Sequence, residues 1–295
     1  MYHWRAIDSS TALNPESKNY AYVAGKRTLE AALERRGMKG SVKIAEFFGC
    51  YQVNYDFDNQ PFVSVIIPEE SKHEQENIKK LLSRTHYQNY EVLHHNKKMI
   101  DSNMRLRFVE GDLNQTIAQA KGKYLIVLDK ELVPQNAKWI EELLNYGQLS
   151  SVGLTTGKII DMNNKIENIG ISLDLAKNQI ISPEVGAPEK NLGYYYRIAL
   201  PRNIQAISGG CALFSKADFD AVNGFDLTLP TEVSWIDFSL KIAQLNKQVV
   251  YTSYTKVRRT MKFEQAGINL DQLKKKWTEE ELLDPYGQPV SLLEN

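Results

Sequence analysis

The sequence predicts an α/β fold in which a mixed sheet is flanked by helices, and two observations support this. From residue 61 onward, apolar runs of strand length alternate with amphipathic stretches of helical length, a pattern typical of parallel strands joined by crossover helices. Between residues 152 and 215, β-type segments dominate, which predicts a mixed rather than a purely parallel sheet. The longest apolar runs, 63–67 and 124–128, are far shorter than the about 20 residues that cross a bilayer. We therefore expect no membrane-spanning segment.

The elements can be assigned in order along the chain. Residues 14–37 predict one helix, because Asn14 and Pro15 are typical of a helix start and Gly37 of a helix end. Residues 51–61 predict a short extended linker, after which a second unit begins. The predicted elements of that unit are a strand 63–67, a helix 74–84, strands 91–95 and 105–109, a helix 112–121, a strand 124–128, helices 136–146, 216–223 and 235–246, a strand 249–252, and a helix from 269 on which Leu270, Leu273 and Trp277 align.

These elements divide the chain into an N-terminal helical connector at 1–60, a main domain at 61–260 and a C-terminal helical tail at 261–295. Lys plus Arg and Asp plus Glu both number 36, so the net charge is zero and no overall field favours nucleic acid as a partner. The two cysteines, Cys50 and Cys211, are too few for a disulfide framework. The start carries no recognisable export signal. We therefore expect a cytoplasmic protein, either free or peripheral at the inner face of the cell membrane.

Two carboxylates directly follow one of the predicted buried strands. Asp129 and Glu131, separated by Lys130, come after the strand 124–128. Ligands of open α/β sheets bind at the carboxyl ends of the strands, and two carboxylates at this spacing suit Mg²⁺ or Mn²⁺, which could hold a diphosphate as a leaving group. A solvated turn is the alternative, and the pair alone does not decide between them.

Asp237 has two interpretations. Ser234 can be the N-cap of the following helix and Asp237 its third residue, which together form a capping box. Alternatively, the Asp237 carboxylate is a general base that takes a proton from an attacking hydroxyl. The sequence does not separate the two roles, and they are compatible with each other.

Three further features also have both a functional and a structural interpretation. Gly209 and Gly210 would let a ligand approach the backbone closely, or would form a tight turn. Lys256 and Arg258 would lie on one side of a strand and hold phosphate, or would form a solvated edge. Trp235 would stack on a sugar ring, or would pack near a helix start.

Six stretches of the sequence occur together in a recognisable order. They are "PFVSVIIP", "HYQNYEVL", "AQAKGKYLIVLDKE", "WIEELL", "ISGGCALFSKADFDAVNGFD" and "WIDFSLKIAQLNKQVVYT". Over nearly the whole chain, this series resembles the bacterial family 2 glycosyltransferases, which have the GT-A fold. The resemblance implies transfer of a sugar from a nucleotide diphosphate donor to a hydroxyl, with inversion in one displacement. Asp237 then matches the family's base, and Asp129 and Glu131 match its metal site.

The resemblance also suggests which residues contact the substrates. It assigns the nucleotide and its diphosphate to Pro68, Asn96, Lys97, Asp129, Lys130, Lys256 and Arg258, and the sugar or acceptor to Gly209, Gly210 and Trp235. A histidine that often completes the family's metal site is absent here, where the chain has Lys256, Val257 and Arg258. Two interpretations stay open. In the first, which we favour, the chain is an active enzyme in which fixed cations replace Mn²⁺ or Mg²⁺. In the second, the donor site has decayed and the domain is a glycan-binding or assembly scaffold.

Both ends of the chain resemble tandem glycosyltransferases of surface-polysaccharide assembly. Residues 2–37 look like a connector between two such domains, and "KKKWTEEELLDPYGQP" looks like the tail of the same group. The resemblance implies a longer parent chain with a neighbouring glycosyltransferase domain. It also implies a nucleotide sugar as donor and a glycan or glycoprotein as acceptor, while a homo-oligomer stays open.

Overall fold

The structure is a computed structural model that describes residues 19–47, 49–57, 59–69, 71–97, 105–262 and 270–286. The chain divides into two compact units, one within residues 1–59 and the other within residues 60–295. The predicted helix start at Asn14 and Pro15 lies outside the described residues. No helix in the described ranges is long and apolar enough to cross a membrane.

The helices and strands are numbered here in chain order. The described helices are α1 (Asn19–Arg35), α2 (Glu74–Arg84), α3 (Leu113–Gln119), α4 (Trp139–Gly147), α5 (Lys216–Ala221), α6 (Thr231–Gln244) and α7 (Asp271–Lys274). The described strands are β1 (Gly40–Ile44), β2 (Tyr51–Tyr55), β3 (Val63–Ile66), β4 (Tyr90–His94), β5 (Leu106–Phe108), β6 (Tyr124–Leu128), β7 (Leu132–Pro134), β8 (Val152–Ile160), β9 (Ile166–Asn168), β10 (Ser172–Asp174), β11 (Gln179–Ile181), β12 (Arg202–Ile204), β13 (Cys211–Ser215) and β14 (Gln248–Arg259).

The first unit contains α1 and a hairpin in which β1 pairs antiparallel with β2. The sequence predicted an extended linker in the place of β2 and no strand in the place of β1. Of the five residues of β1, only Val42 is buried, so the apolar signal for this strand is weak. Backbone hydrogen bonds between β1 and β2 therefore stabilise a hairpin that the hydrophobic pattern of the sequence does not reveal.

The second unit is built on one mixed sheet, as the sequence predicted. Its strands follow the order β12-β14-β8-β13-β6-β3-β4-β5, with β7 added to β14 and β9 added to β8. Strands β3, β4, β5 and β6 are parallel, β13 runs antiparallel between β6 and β8, and β14 is parallel to β8. The carboxyl ends of β3, β6, β8 and β14 therefore meet the amino end of β13 at one edge of the sheet.

Two predicted boundaries are wrong in ways that affect the functional interpretation. Helix α6 begins at Thr231 after Pro230, so Ser234 lies inside the helix and is not its N-cap. The capping box proposed for Asp237 is therefore absent. Strand β14 extends to Arg259 instead of ending at residue 252, because irregular pairing after Thr252 lets polar residues continue beside β8.

Helix α6 is buried on two sides. One side packs into an aromatic cluster of the sheet core, where Trp235 and Phe238 lie close to Phe214 and Phe225. The other side packs against the C-terminal segment 270–286. The apolar residues of this second contact are Val233, Ile236, Leu240, Leu270, Leu273, Trp277 and Leu282. The helix therefore presents almost no surface to solvent between its two ends.

Asp237 lies on the side of α6 that faces the C-terminal segment, and its side chain is fully buried. The indole Nε1 of Trp277 donates a hydrogen bond to Asp237 Oδ1 at 2.9 Å, and Lys276 Nζ lies 2.8 Å from the same oxygen. Lys241 Nζ forms an ion pair with Oδ2 at 3.0 Å. Burial lowers the pKa of Lys276, but its hydrogen bonds to Asp237 and Asp226 outweigh this effect and raise the pKa overall. The charge of the Asp237 carboxylate is therefore balanced by two lysines, and its contacts with Lys276 and Trp277 anchor the C-terminal segment to α6.

A single-site change tests the anchoring role of Asp237. We expect Asp237→Asn to lower the free energy of unfolding by about 1–3 kcal/mol, because it removes a buried charged hydrogen-bond acceptor. Urea unfolding followed by tryptophan fluorescence measures this loss. Asp220→Asn, at an exposed position of α5, serves as the control and should change stability little. Equal stability of the two variants would contradict the anchor.

Lys158 is a buried cation in the middle of β8. Burial and, to a smaller extent, the nearby charge of Lys256, its partner across the strand pair, lower the pKa of Lys158 to about 8, against the opposing effect of Glu189. The folded state therefore holds this proton less tightly than the unfolded chain, whose lysines titrate near 10.5. Charged Lys158 destabilises the fold fully below about pH 8, and this cost is relieved as the pH rises toward 10.

Replacing this lysine should stabilise the protein in a pH-dependent manner. At pH 7 we expect Lys158→Met to raise the free energy of unfolding by roughly 1–3 kcal/mol, since a buried charge is removed. The gain should shrink when thermal unfolding is measured near pH 10. Lys165→Met, which changes an exposed lysine, should show neither effect. A gain that grows with pH would contradict this assignment.

Candidate functional site

A cleft opens at the edge of the sheet where the carboxyl ends of β3, β6 and β8 meet the start of β13 and the first turns of α6. Parallel strands converge there, so loop backbones and side chains from distant parts of the chain come together. The residues that line it are Pro68, Glu69, Val127, Asp129, Lys130, Ile159, Glu167, Asn168, Ser208, Gly209, Gly210, Thr231, Glu232, Trp235 and Arg259. This cleft is the candidate functional site.

A buried guanidinium joins two carboxylates in the cleft. Arg259, the last residue of β14, donates from Nε and Nη2 to Glu167, with distances of 2.7–2.9 Å. Its Nη1 donates to Asp129 Oδ2 at 3.1 Å. The side chain of Arg259 is 6% exposed, whereas that of Asp129 is 30% exposed and faces the opening. Strands β6, β9 and β14 are thus tied together at the point where a ligand would enter.

The electrostatic balance of this cluster favours the charged guanidinium. Burial lowers the pKa of Arg259, but the hydrogen bonds that it donates to Glu167 and the negative charges of Asp129 and Glu167 outweigh burial and raise the pKa overall. A buried arginine held by two carboxylates in fork geometry is strongly oriented. Arg259 is therefore a fixed positive charge inside the cleft.

Glu131 does not share the cleft with Asp129. Its side chain accepts hydrogen bonds from the hydroxyls of Ser71 and Thr260 and from the amide of Asn77. Burial raises the pKa of Glu131, but the hydrogen bonds from Ser71 and Thr260 outweigh it and lower the pKa. Its backbone N–H donates to Asp129 Oδ1 at 2.7 Å. Glu131 therefore braces the loop after β6.

The described residues around Asp129 do not form a complete site for a divalent cation. Mg²⁺ and Mn²⁺ need several converging oxygens. One oxygen of Asp129 is held by Arg259 and the other by the backbone, while the Glu131 carboxylate is occupied elsewhere. Within the described part of the chain, no three histidine, cysteine, aspartate or glutamate side chains are grouped so that they could hold a metal.

Gly209 and Gly210 form one wall of the cleft, and both have left-handed backbone angles, with φ of +99° and +91°. A Cβ at Gly209 would lie 2.7 Å from the Trp235 ring, and a Cβ at Gly210 would lie 2.5 Å from Ile159. The carbonyl of Gly210 also accepts the Asp129 N–H at 2.7 Å. Glycine is therefore required here by conformation and by close packing together.

Trp235 is only 3% exposed, so packing is its main role in this structure. Its ring lies 4.5 Å from that of Phe225 between centroids, in an edge-to-face arrangement. One edge of the indole reaches the cleft beside Gly209.

The charges of the cleft are predominantly negative. Lys130 pairs with Glu69 at 2.6 Å, and Arg259 pairs with Asp129 and Glu167. Glu232, on the first turn of α6, adds a fourth carboxylate that is half-buried. Among the described lining residues, four carboxylates therefore face two cationic side chains.

Six of the predicted contact residues do line the cleft, and the structure brings them together from four separate segments. They are Pro68, Asp129, Lys130, Gly209, Gly210 and Trp235.

The structure corrects the expected position of Asp237. Neighbouring residues of an α-helix are rotated by about 100°, so Asp237 lies about 200° around α6 from Trp235. Because Trp235 reaches the cleft, Asp237 must point away from it, toward Lys276 and Trp277. In this structure the Asp237 carboxylate therefore does not line the cleft.

The basic residues predicted to hold the diphosphate are also corrected. Lys256 pairs with Glu189 at 2.6 Å, and Lys97 pairs with Glu110. Arg258 precedes Arg259 in a strand, so the two side chains project to opposite faces, and only Arg259 lines the cleft. Asn96, like these three residues, is absent from the cleft lining.

Sequence reasoning did not assign four of the charged lining residues to the site, namely Glu69, Glu167, Glu232 and Arg259. Arg259 belongs to the same basic run as Arg258, and strand alternation would have separated the two had β14 been predicted at its full length. Glu167 and Glu232 carry no local signal, because a carboxylate in a short strand or a first helical turn is common.

No family model matches this chain. The protein y4gI of Sinorhizobium fredii is 23% identical over 332 residues, which cover 100% of this chain and 36% of that protein. The O-antigen biosynthesis protein RfbC of Myxococcus xanthus is 22% identical over 278 residues, which cover 87% of this chain and 22% of RfbC. The chain thus spans well under half the length of either curated relative.

One solved structure identifies the fold. GalNAc-T7, crystallised with UDP, GalNAc and Mn²⁺, superimposes with a TM-score of 0.55 and 16% identity over 76% of this chain and 48% of its own. The mannosyltransferase PcManGT of Pyrobaculum calidifontis, in complex with GDP-Man and Mn²⁺, gives a TM-score of 0.49 and 14% identity over 84% of this chain and 68% of its own. At this similarity, the likeness to GalNAc-T7 concerns architecture. The chain has the GT-A glycosyltransferase fold that its sequence predicted.

Proposed function

We propose that this chain is a glycosyltransferase that moves a sugar from a nucleotide diphosphate donor to a hydroxyl of a glycan or glycoprotein. The observation that carries the proposal is the cleft at the carboxyl ends of β3 and β6 on a GT-A fold, where Asp129, Arg259 and a glycine wall converge. GalNAc-T7, which has the same fold, was crystallised with UDP, GalNAc and Mn²⁺, and this complex supports a nucleotide diphosphate donor.

The reaction proposed for this cleft is a single displacement with inversion. An acceptor oxygen attacks the anomeric carbon from the face opposite the diphosphate, and the new glycosidic bond forms as the bond from that carbon to the phosphate oxygen breaks. The electron pair of the broken bond leaves with the nucleoside diphosphate. The hydroxyl proton passes to a carboxylate in the cleft, a role that one well-placed acid can fill.

Glu232 is the carboxylate that we propose as the base, in place of Asp237. It lines the cleft from the first turn of α6, one turn before Trp235. Glu69, Asp129 and Glu167 also line the cleft, but each is engaged by a cation, either Lys130 or Arg259.

The proposed setting is assembly of a bacterial surface glycan, with this chain as one module of a longer protein. The likeness to RfbC, an O-antigen biosynthesis protein, supports the setting, and the partial coverage of both curated relatives supports a longer parent chain. The three-part division into 1–60, 61–260 and 261–295 remains our proposal for how that module is organised.

A second candidate is a glycan-binding module that has lost its donor site. The charge of the cleft favours it, because four carboxylates and two cations would meet a diphosphate with further negative charge. A neutral sugar, in contrast, finds many oxygen acceptors there. Under this alternative, a glycan binds in the cleft but nucleotide sugars do not.

Calorimetry distinguishes the two candidates. The full chain is titrated with UDP-, dTDP- and GDP-sugars, each with Mn²⁺ and with EDTA, and then with oligosaccharides. We expect at least one nucleotide sugar to bind with a Kd of about 1 μM to 1 mM, the usual range for enzyme substrates. Binding of oligosaccharides alone would favour the scaffold and reject the transferase.

A variant tests the proposed base separately from donor binding. We expect Glu232→Gln to lower kcat by roughly 10²–10⁴-fold, because the hydroxyl proton loses its acceptor, while the donor Kd changes little. Release of nucleoside diphosphate in the presence of acceptor gives the rate. The exposed Glu280→Gln on the C-terminal segment is the comparison and should retain full activity. An active Glu232→Gln enzyme would exclude this base.

A further inference from the structure

The Arg259 cluster occupies the part of the cleft where the sequence predicted a metal ion. Asp129 stands at the end of β6, as a metal-binding carboxylate of that site would, but the cation beside it is a guanidinium of the same chain. Glu167 completes the other side with two further oxygens. The two carboxylates and Arg259 thus form a closed group before any ligand enters.

We propose that Arg259 takes the place of the divalent cation in this cleft, so that the chain neither needs nor binds a metal at Asp129. For the diphosphate, this inference rests on the proposed function, whereas the exclusion of metal from Asp129 stands independently. The paired N–H groups of Arg259 are already donated to Asp129 and Glu167, so the guanidinium would stabilise an incoming diphosphate through its permanent charge.

The competition between the two cations is direct. A metal at Asp129 would lie next to a buried positive charge that cannot lose its proton, and repulsion at short range in a partly dry site is strong. Arg259 is also 6% exposed and is held at both ends of its fork, so it cannot swing into solvent at low cost. Removal of the guanidinium, in contrast, would leave two neighbouring carboxylates without a counter-charge.

The prediction is therefore a gain of metal binding on loss of the arginine. Mn²⁺ alone is titrated into the full chain and followed by electron paramagnetic resonance. We expect only weak, non-specific Mn²⁺ binding in the unchanged protein, and in Arg259→Met one Mn²⁺ site with an apparent affinity at least about tenfold higher. Arg258→Met alters the preceding arginine, which does not line the cleft, and should behave like the unchanged protein.

Three outcomes would decide the inference. If the unchanged protein binds one Mn²⁺ and Asp129→Asn abolishes it, the inference is overturned. If a folded Arg259→Met protein gains no Mn²⁺, the inference is also overturned. Thermal melting shows whether Arg259→Met is folded. If it is not, the comparison of Mn²⁺ binding between the unchanged protein and Asp129→Asn decides alone. Equal Mn²⁺ binding by these two proteins would support the inference.

Nucleotide binding separates this inference from the proposed function. Titration with UDP, GDP and dTDP should give the same Kd in EDTA as in Mn²⁺. Arg259→Lys should weaken nucleotide binding and should create no metal site. Binding that requires Mn²⁺ would overturn the inference and leave the transferase intact. No nucleotide binding under either condition would reject the transferase, while the Mn²⁺ titrations would still test whether Arg259 excludes a metal.

Discussion

The ion cluster of Arg259 with Asp129 and Glu167 is the interaction on which the architecture of the cleft depends. It joins the ends of β6, β9 and β14, which are far apart in sequence, at one edge of the sheet. A buried charge is tolerated only when it is paired and hydrogen-bonded, and breaking such a pair on one side costs about 3–5 kcal/mol. Satisfying these three charges together therefore fixes the spacing of the strands around the opening.

Helix α6 imposes a second constraint, because it is shared between two apolar surfaces. Trp235 and Phe238 belong to the aromatic core beside the cleft, whereas Val233 and Leu240 belong to the contact with the C-terminal segment. In a helix buried in this way, the position of a residue around the helix axis decides which of the two surfaces it faces. Asp237 faces the C-terminal segment. A residue can thus sit within two positions of a cleft and still be a structural anchor.

The two constraints together shape the functional interpretation. The GT-A fold supplies a cleft at the carboxyl ends of parallel strands, where open α/β sheets bind ligands, but its charges differ from those expected of a metal-dependent site. The cation is part of the chain, and the carboxylates outnumber the cationic side chains. The question of transferase or scaffold is therefore mainly a question of how the cleft balances an incoming diphosphate.

The sequence by itself determined the mixed α/β sheet, the positions of most of its strands and helices, and Asp129 with Gly209 and Gly210 at the cleft, because hydrophobic periodicity and the ends of strands are local signals. It could not determine that Arg259 rather than Arg258 enters the cleft, or that Asp237 leaves it. Those outcomes depend on where β14 ends and on how α6 is rotated, and both are fixed by packing between segments distant in the chain. Only the tertiary structure decides them.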